Sequence, residues 1–129
     1  MAWGSGSFEN DEAAAWLKNL PAITPQDLTR VLVQAADDPG YVEAPAARVA
    51  VAASEVVASL NGAPCEGRPP EIADWARKHA RAFTPELKAV AMRALDRVRR
   101  NSELKDLWLE ADGLNDWIQA LKDLQTRLG

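Results

Sequence analysis

Apolar residues recur along most of the chain at the spacing of an α-helix. The first such stretch, Ala13, Trp16, Leu17 and Leu20, follows the i, i+3, i+4, i+7 pattern of one helical face. No stretch alternates between apolar and polar residues for long enough to favour a sheet. The pattern therefore predicts an all-α fold. We expect helices near 11–20, 25–36, 45–60, 71–82, 85–100, 103–111 and 114–128.

Residues that typically cap helices stand at the predicted boundaries. Asn10, Thr24, Thr84 and Ser102 each precede a predicted helix, where a side-chain oxygen can accept a hydrogen bond from a free backbone amide. Asp27, three residues after Thr24, indicates an arrangement close to a capping box. The predicted helix ends include the pairs Asn61-Gly62 and Asp112-Gly113.

The segment 45–60 is apolar nearly all round. Among its few polar residues, Arg48, Glu55 and Ser59 share one narrow face at the spacing i, i+7, i+11. A helix of this kind is buried among other helices, and it is too short and interrupted to span a membrane. We therefore expect a compact, single-domain bundle of about six to seven short helices over residues 1–129, with this Ala- and Val-rich helix at its centre. If Val49 is internal, Val49→Asp should remove several kcal/mol of stability, roughly as expected for an unpaired buried charge.

The N-terminus carries a glycine-containing motif. It reads Trp3-Gly4-Ser5-Gly6-Ser7-Phe8-Glu9-Asn10-Asp11, and the short Ala13 to Leu17 helix follows. Near the other end stand Ser102-Glu103-Leu104, Leu107-Trp108, Trp117 and a leucine stripe from Leu121 to Leu128. Both ends resemble the bacterial domain-of-unknown-function family 4259, whose members begin Trp-Gly-x-Gly-x-Phe-x-Asn-Asp. The resemblance implies a small bacterial protein of unassigned function and transfers no catalytic or binding residue; Ala15 stands where members often have Asp.

The chemistry of this motif favours packing over ligand binding. A glycine-rich anion cradle before a helix is one alternative, but Glu9, Asp11 and Glu12 would repel phosphate. A cation held by residues 9–12 is another, although these residues lack the spaced ligands of a calcium loop. We expect residues 1–10 to pack on the helical domain. The residues to which we assign this structural role are Trp3, Gly4, Gly6, Phe8, Asn10 and Asp11.

The charge is unevenly distributed. The net charge of −4 argues against a general nucleic-acid binder, yet residues 68–105 carry ten Lys or Arg against five acids. Within this block Arg93, Arg97 and Arg100 form a basic stripe at the spacing i, i+4, i+7. Pairing of the stripe with acidic neighbours of the same chain is the favoured interpretation. An external anionic partner bound through residues 77–100 is the alternative.

Catalytic and metal-binding chemistry is sparse in the sequence. One cysteine and one histidine exclude an internal disulfide and a two-histidine metal site. Cys65 and His79 could be drawn as nucleophile and base, but a third, orienting group is not evident. Phosphate-loop, nucleophile-elbow and kinase signatures are missing. The sequence therefore predicts no catalytic residue, metal or cofactor, and a protein that is not an enzyme.

The five tryptophans fall on apolar stripes or beside the glycine motif, so most are expected in the core. Trp108 and Trp117, on short terminal helices, are the candidates for an exposed interface anchor. We therefore expect a non-enzymatic protein-interaction module with an unknown protein partner, for example an antagonist or immunity-type protein. A nucleic-acid-associated protein and a cryptic enzyme are the alternatives. The single cysteine and the absence of a signal peptide or membrane-span pattern favour a cytoplasmic location.

Overall fold

The computed structural model describes residues 6–129, and its secondary structure confirms the all-α prediction. Over this range the chain forms seven α-helices and no β-strand. The helices are α1 (Asp11–Lys18), α2 (Pro25–Ala36), α3 (Ala44–Leu60), α4 (Pro70–Lys78), α5 (Pro85–Arg100), α6 (Glu103–Glu110) and α7 (Leu114–Leu128). A short 3-10 turn, Leu20–Ala22, lies between α1 and α2.

The predicted helix caps are confirmed. The Asn10 side chain accepts a hydrogen bond of 2.8 Å from the amide of Ala13 at the start of α1. Thr24 and Asp27 form a reciprocal capping box, with N···O distances of 3.1 Å and 3.0 Å. Each bond satisfies an amide that has no partner inside its helix. The remaining predicted caps, on α5 and α6, are Thr84 and Ser102.

The ends of α1 and α4 differ most from their predicted positions, and the other helix boundaries agree to about one residue. We predicted a helix to residue 82, but α4 stops at Lys78 because His79 takes a non-helical conformation with φ −117° and ψ 36°. Similarly, α1 ends at Lys18, because the 3-10 turn containing Pro21 replaces its expected last residues. The predicted ends at Gly62 and Asp112 are confirmed, and both residues have positive φ, 77° and 60°.

Helix α3 is the centre of the bundle and contacts each of the other six α-helices. Its residues from Val51 to Ser59 are all buried. The buried apolar side chains form a cluster to which every α-helix contributes, and this confirms the role predicted for the segment. The condition that Val49 is internal is not met. Val49 is only half-buried, beside Val31 and Ala35 of α2, because the opposite side of α3 faces the middle of the bundle.

A long-range backbone connection ties the start of α3 to the start of α6. The amide of Glu103 donates to the carbonyl of Val42 at 2.8 Å. The Glu103 carboxylate in turn accepts a hydrogen bond from the amide of Ala44, also at 2.8 Å. The side chain of Glu43, at the N-cap position of α3, makes no capping bond, so Glu103 supplies one from the other end of the sequence. This connection positions α6 on the bundle.

The described part of the N-terminal motif contacts the helical bundle. Phe8 is half-buried against the core, and Asn10 is buried as the cap of α1, which begins at Asp11. The Gly6 amide donates to Glu9 Oε1 at 3.0 Å, and a Cβ on Gly6 would lie 2.5 Å from that oxygen. Trp3 and Gly4, which we also assigned to this motif, lie outside the described residues.

Candidate functional site

The polar face of α3 forms a buried charge centre. Glu55, near the middle of this face, is only 3% exposed. Arg127 of α7 donates two hydrogen bonds to its carboxylate, at 2.7 Å and 3.0 Å, and the Ser7 hydroxyl donates a third at 2.6 Å. The N-terminal segment, the central helix and the last helix therefore meet at one carboxylate. The sequence analysis placed Glu55 on the polar face of this helix, but no spacing in the sequence predicted that Ser7 and Arg127 would be its partners.

Arg127 is held on several sides. Besides Glu55, it donates to Asp123 at 2.9 Å and to the carbonyl of Ala63 at 3.3 Å. The hydrogen bonds to Glu55, together with the nearby negative charges, raise the pKa of the Arg127 guanidinium despite its burial. Arg127 therefore stays charged and forms an ion pair with Glu55. The guanidinium nitrogens of Arg127 all donate hydrogen bonds to groups of the protein.

A second ion pair lies on the same face of α3. Arg48 donates to Glu12 Oε1 at 2.8 Å, and the two side chains are 11% and 25% exposed. Burial acts to raise the pKa of Glu12, but the backbone hydrogen bond and the Arg48 guanidinium together lower it. Arg48 thus fixes α1 against α3, as Glu55 fixes α7. Ser59, the third residue of this face, accepts a hydrogen bond from Arg68 at 2.6 Å.

A cleft of about 320 Å³ opens beside the charge centre, lined by Ser7, Glu55, Cys65, Asp123 and Arg127 among others. Burial and the negative charge of Glu55 raise the pKa of the Cys65 thiol. A thiol of this kind is mostly protonated near neutral pH, and the protonated form is a poor nucleophile.

The structure does not bring Cys65 and His79 together as a catalytic pair. The imidazole of His79 lies against the indole of Trp75, with ring centroids 4.3 Å apart. Cys65 lines the cleft beside Glu55, whereas His79 lines a different cleft together with Pro25 and Arg81. Within residues 6–129 no three His, Cys, Asp or Glu side chains are grouped so as to hold a metal ion. No helix in the described range is long and apolar enough to cross a membrane.

The basic stripe on α5 finds partners within the chain. Arg93 pairs with Asp37 at 2.6 Å, and Arg97 donates to the carbonyl of Gly40 in the turn before α3. Arg100 pairs with Asp96 of its own helix at 3.2 Å. The pairs are solvated: the Arg93 and Arg100 side chains are 56% and 69% exposed. The three arginines of the stripe are therefore each bound to a negatively charged or carbonyl group of the same chain.

The expectation that Trp117 is an exposed anchor is wrong. Trp117 is 3% exposed, because the apolar stripe of α7 turns its indole into the core. Trp108 is half-buried against the core, and a Cβ built on Gly113 would lie 2.7 Å from its ring. The exposed apolar residues in this region are instead Leu107 at 39% and Leu109 at 57%. Leu104 and Trp108 occupy the core-facing side of α6.

The fold and its charge pairs define a small all-α protein whose buried ionisable side chains hold helices together. A model of the family described as Domain of unknown function (DUF4259) matches residues 1–120. The chain therefore belongs to this family, as the resemblance predicted. No curated protein and no solved structure matches the chain.

Proposed function

We propose that the protein is a non-enzymatic protein-interaction module. The observation that carries this proposal is the solvent side of α6, where Leu107 and Leu109 are 39% and 57% exposed. The helix itself is fixed to the bundle by buried Leu104 and by the bonds between Glu103 and the start of α3. These two leucines lie on opposite edges of the solvent side, and they provide apolar surface on a rigid element that a partner protein can contact.

The charge centre supports the same proposal, because its groups are occupied by one another. Both carboxylate oxygens of Glu55 accept hydrogen bonds from Arg127, and one accepts from Ser7 as well. The neighbouring Cys65 thiol, with its raised pKa, is a weak nucleophile. These groups suit the joining of helices better than acid–base or covalent chemistry.

Association with nucleic acid has less support. It would depend on the basic stripe, whose arginines already contact Asp37, the Gly40 carbonyl and Asp96. The net charge of −4 also opposes binding to a phosphate backbone.

A comparison of three immobilised proteins tests the proposal. The parent, Leu107→Ser/Leu109→Ser and the control Val33→Ser are incubated with native lysate, and the retained proteins are quantified by mass spectrometry. Val33 lies on α2 and is 36% exposed, so its replacement removes apolar surface at another site. We expect one protein to be retained by the parent and the control but lost from the double variant. Retention of no protein above blank resin would overturn the proposal.

A further inference from the structure

A narrow cavity lies where the N-terminal segment meets three helices of the bundle. Its volume is about 20 Å³. Its walls include residues of the N-terminal segment, α3, α6 and α7: Ser7, Asn10, Arg48, Val51, Trp108 and Trp117. A single water molecule needs roughly 10–15 Å³ of such space. The cavity therefore has room for one water and is too small for an organic ligand.

Arg48 brings a buried donor to the wall of this cavity. Its side chain is only 11% exposed, and its Nη1 donates to Glu12 Oε1 at 2.8 Å. Its Nε is fully buried and has no hydrogen-bond partner among the described residues. A buried N–H without an acceptor loses its hydration and gains nothing in return, so such groups in proteins are nearly always bonded, often to an ordered water.

The N-terminal segment supplies acceptors on another wall of the cavity. Asn10 Oδ1 accepts one hydrogen bond, from the amide of Ala13, and has a second lone pair for another donor. The Ser7 carbonyl lies 3.5 Å from Asn10 Nδ2, at the long limit for a hydrogen bond, so it too has capacity left. A water that accepts from Arg48 Nε can donate to these oxygens and thus reach the two to four bonds typical of buried water.

The charges around the cavity favour a neutral occupant. The Glu12 carboxylate, 2.8 Å from Arg48 Nη1, compensates the guanidinium, so the site has no excess positive charge to hold an anion. A metal ion or another cation would be repelled by the guanidinium itself. Water is neutral, accepts from Nε and fits the volume.

We propose that this cavity binds one water molecule, which accepts a hydrogen bond from Arg48 Nε and donates hydrogen bonds to Asn10 and Ser7. The water joins the N-terminal segment to α3 at Arg48. Two turns further along the same helix, the direct bond from the Ser7 hydroxyl to Glu55 joins them again. The N-terminal segment is thus held at two points on the polar face of α3, and this inference is independent of the proposed function.

A high-resolution crystal structure of the parent and of Arg48→Lys tests the proposal directly. Lysine Cε takes the place of arginine Nε along the side chain, so this variant replaces the donor by a methylene group. Its ammonium group can still pair with Glu12. We expect density for a water within hydrogen-bond distance of Arg48 Nε in the parent, and loss of that water in Arg48→Lys.

A change that fills the cavity tests the same water by urea denaturation. Val51→Ile adds one methyl group at the wall, so in the parent it should displace the water, leave Arg48 Nε unsatisfied and lower the urea midpoint. In the Arg48→Lys background no donor depends on the water, and the same change should lower the midpoint less or raise it. Val56→Ile is the control for overpacking, because Val56 is a fully buried valine of α3 outside the cavity.

We expect Val56→Ile to shift the midpoint equally in the two backgrounds. A parent crystal structure without density for water in the cavity, or with a group of the chain as the acceptor for Arg48 Nε, would overturn the proposal. An equal effect of Val51→Ile in the two backgrounds would overturn it as well.

Discussion

Arg127 donates two hydrogen bonds to the carboxylate of Glu55, which stands 72 residues earlier in the sequence. The two side chains are only 16% and 4% exposed, so this charge pair lies largely out of contact with water. Charges removed from water lose hydration free energy, and their mutual attraction offsets that loss. If either partner is removed, the other stays buried without compensation.

We therefore expect Arg127→Met to lower the free energy of unfolding by about 3–5 kcal/mol, measured by urea denaturation. The double variant Glu55→Leu/Arg127→Met should recover most of this loss, because no unpaired charge is left. Asp123→Ala is the control, since the Asp123 side chain is 68% exposed and its pair with Arg127 should contribute about 1 kcal/mol or less. Equal effects of Arg127→Met and Asp123→Ala would contradict a buried charge centre.

The central helix provides a matched pair of valines. Val56 is fully buried, whereas Val49 on the same helix is half-buried. Val56→Asp introduces an unpaired carboxylate into the core, so we expect a loss of several kcal/mol from a total of about 5–15 kcal/mol. Val49→Asp should cost much less, because its carboxylate can reach water. Thermal unfolding followed by circular dichroism compares the two, and similar midpoints would show that α3 is wrongly placed.

The basic stripe should contribute little to the free energy of unfolding, because the side chains of Arg93 and Arg100 are exposed to solvent. We expect Arg93→Ala/Arg97→Ala/Arg100→Ala to fold normally, because exposed pairs such as Arg93–Asp37 contribute about 0–1 kcal/mol each. Its thermal midpoint should stay close to that of the parent. Arg48→Ala, which breaks the less exposed pair with Glu12, should lower the midpoint further than the triple variant does. The reverse order would assign the stripe a structural role.

Gly113 is required by the position of Trp108. A Cβ at residue 113 would lie 2.7 Å from Trp108 Cε3, so Gly113→Ala must displace the indole and should cost about 1–3 kcal/mol. Gly40→Ala is the control, because its Cβ would meet only Asp38 Oδ1 at the ordinary distance of 3.6 Å. Urea denaturation measures both costs. A Gly113→Ala protein as stable as Gly40→Ala would contradict the packing of Trp108.

Tyr41 is the only tyrosine, so its ionisation can be followed by ultraviolet absorbance. We expect a pKa of about 12 in the folded protein and a return toward 10 in Asp106→Asn. Because folding raises this pKa, the phenol stabilises the fold below pH 10, and this contribution is lost as pH rises from 10 to 12. An unchanged titration curve in Asp106→Asn would remove Asp106 as the cause.

Features that depend on neighbouring residues were predictable from the sequence. Asn10, Thr24, Thr84 and Ser102 cap helices because the oxygen and the amide that it meets are separated by only three residues. The central place of α3 was also predictable, because a helix without a broad polar side has to be covered all round.

Features that join distant segments had no such local signal. The partners of Glu55 and the capping of Ala44 by Glu103 depend on how the helices pack, and no sequence spacing specifies that packing. The same limit explains the error on α7. The sequence spacing does not fix how this helix is rotated against its neighbours, so Trp117 remained a candidate for an exposed anchor although its indole lies in the core.

The connection between α3 and α6 has a consequence for hydrogen exchange. The amide of Ala44 is bonded to the Glu103 side chain, and the amide of Glu103 is bonded to the Val42 carbonyl, so both protons lie in one small contact between segments 59 residues apart. Release of α6 from the bundle would expose both amides in a single opening event. Their protection factors should therefore rise and fall together, and the pair would report how often α6 separates from the bundle.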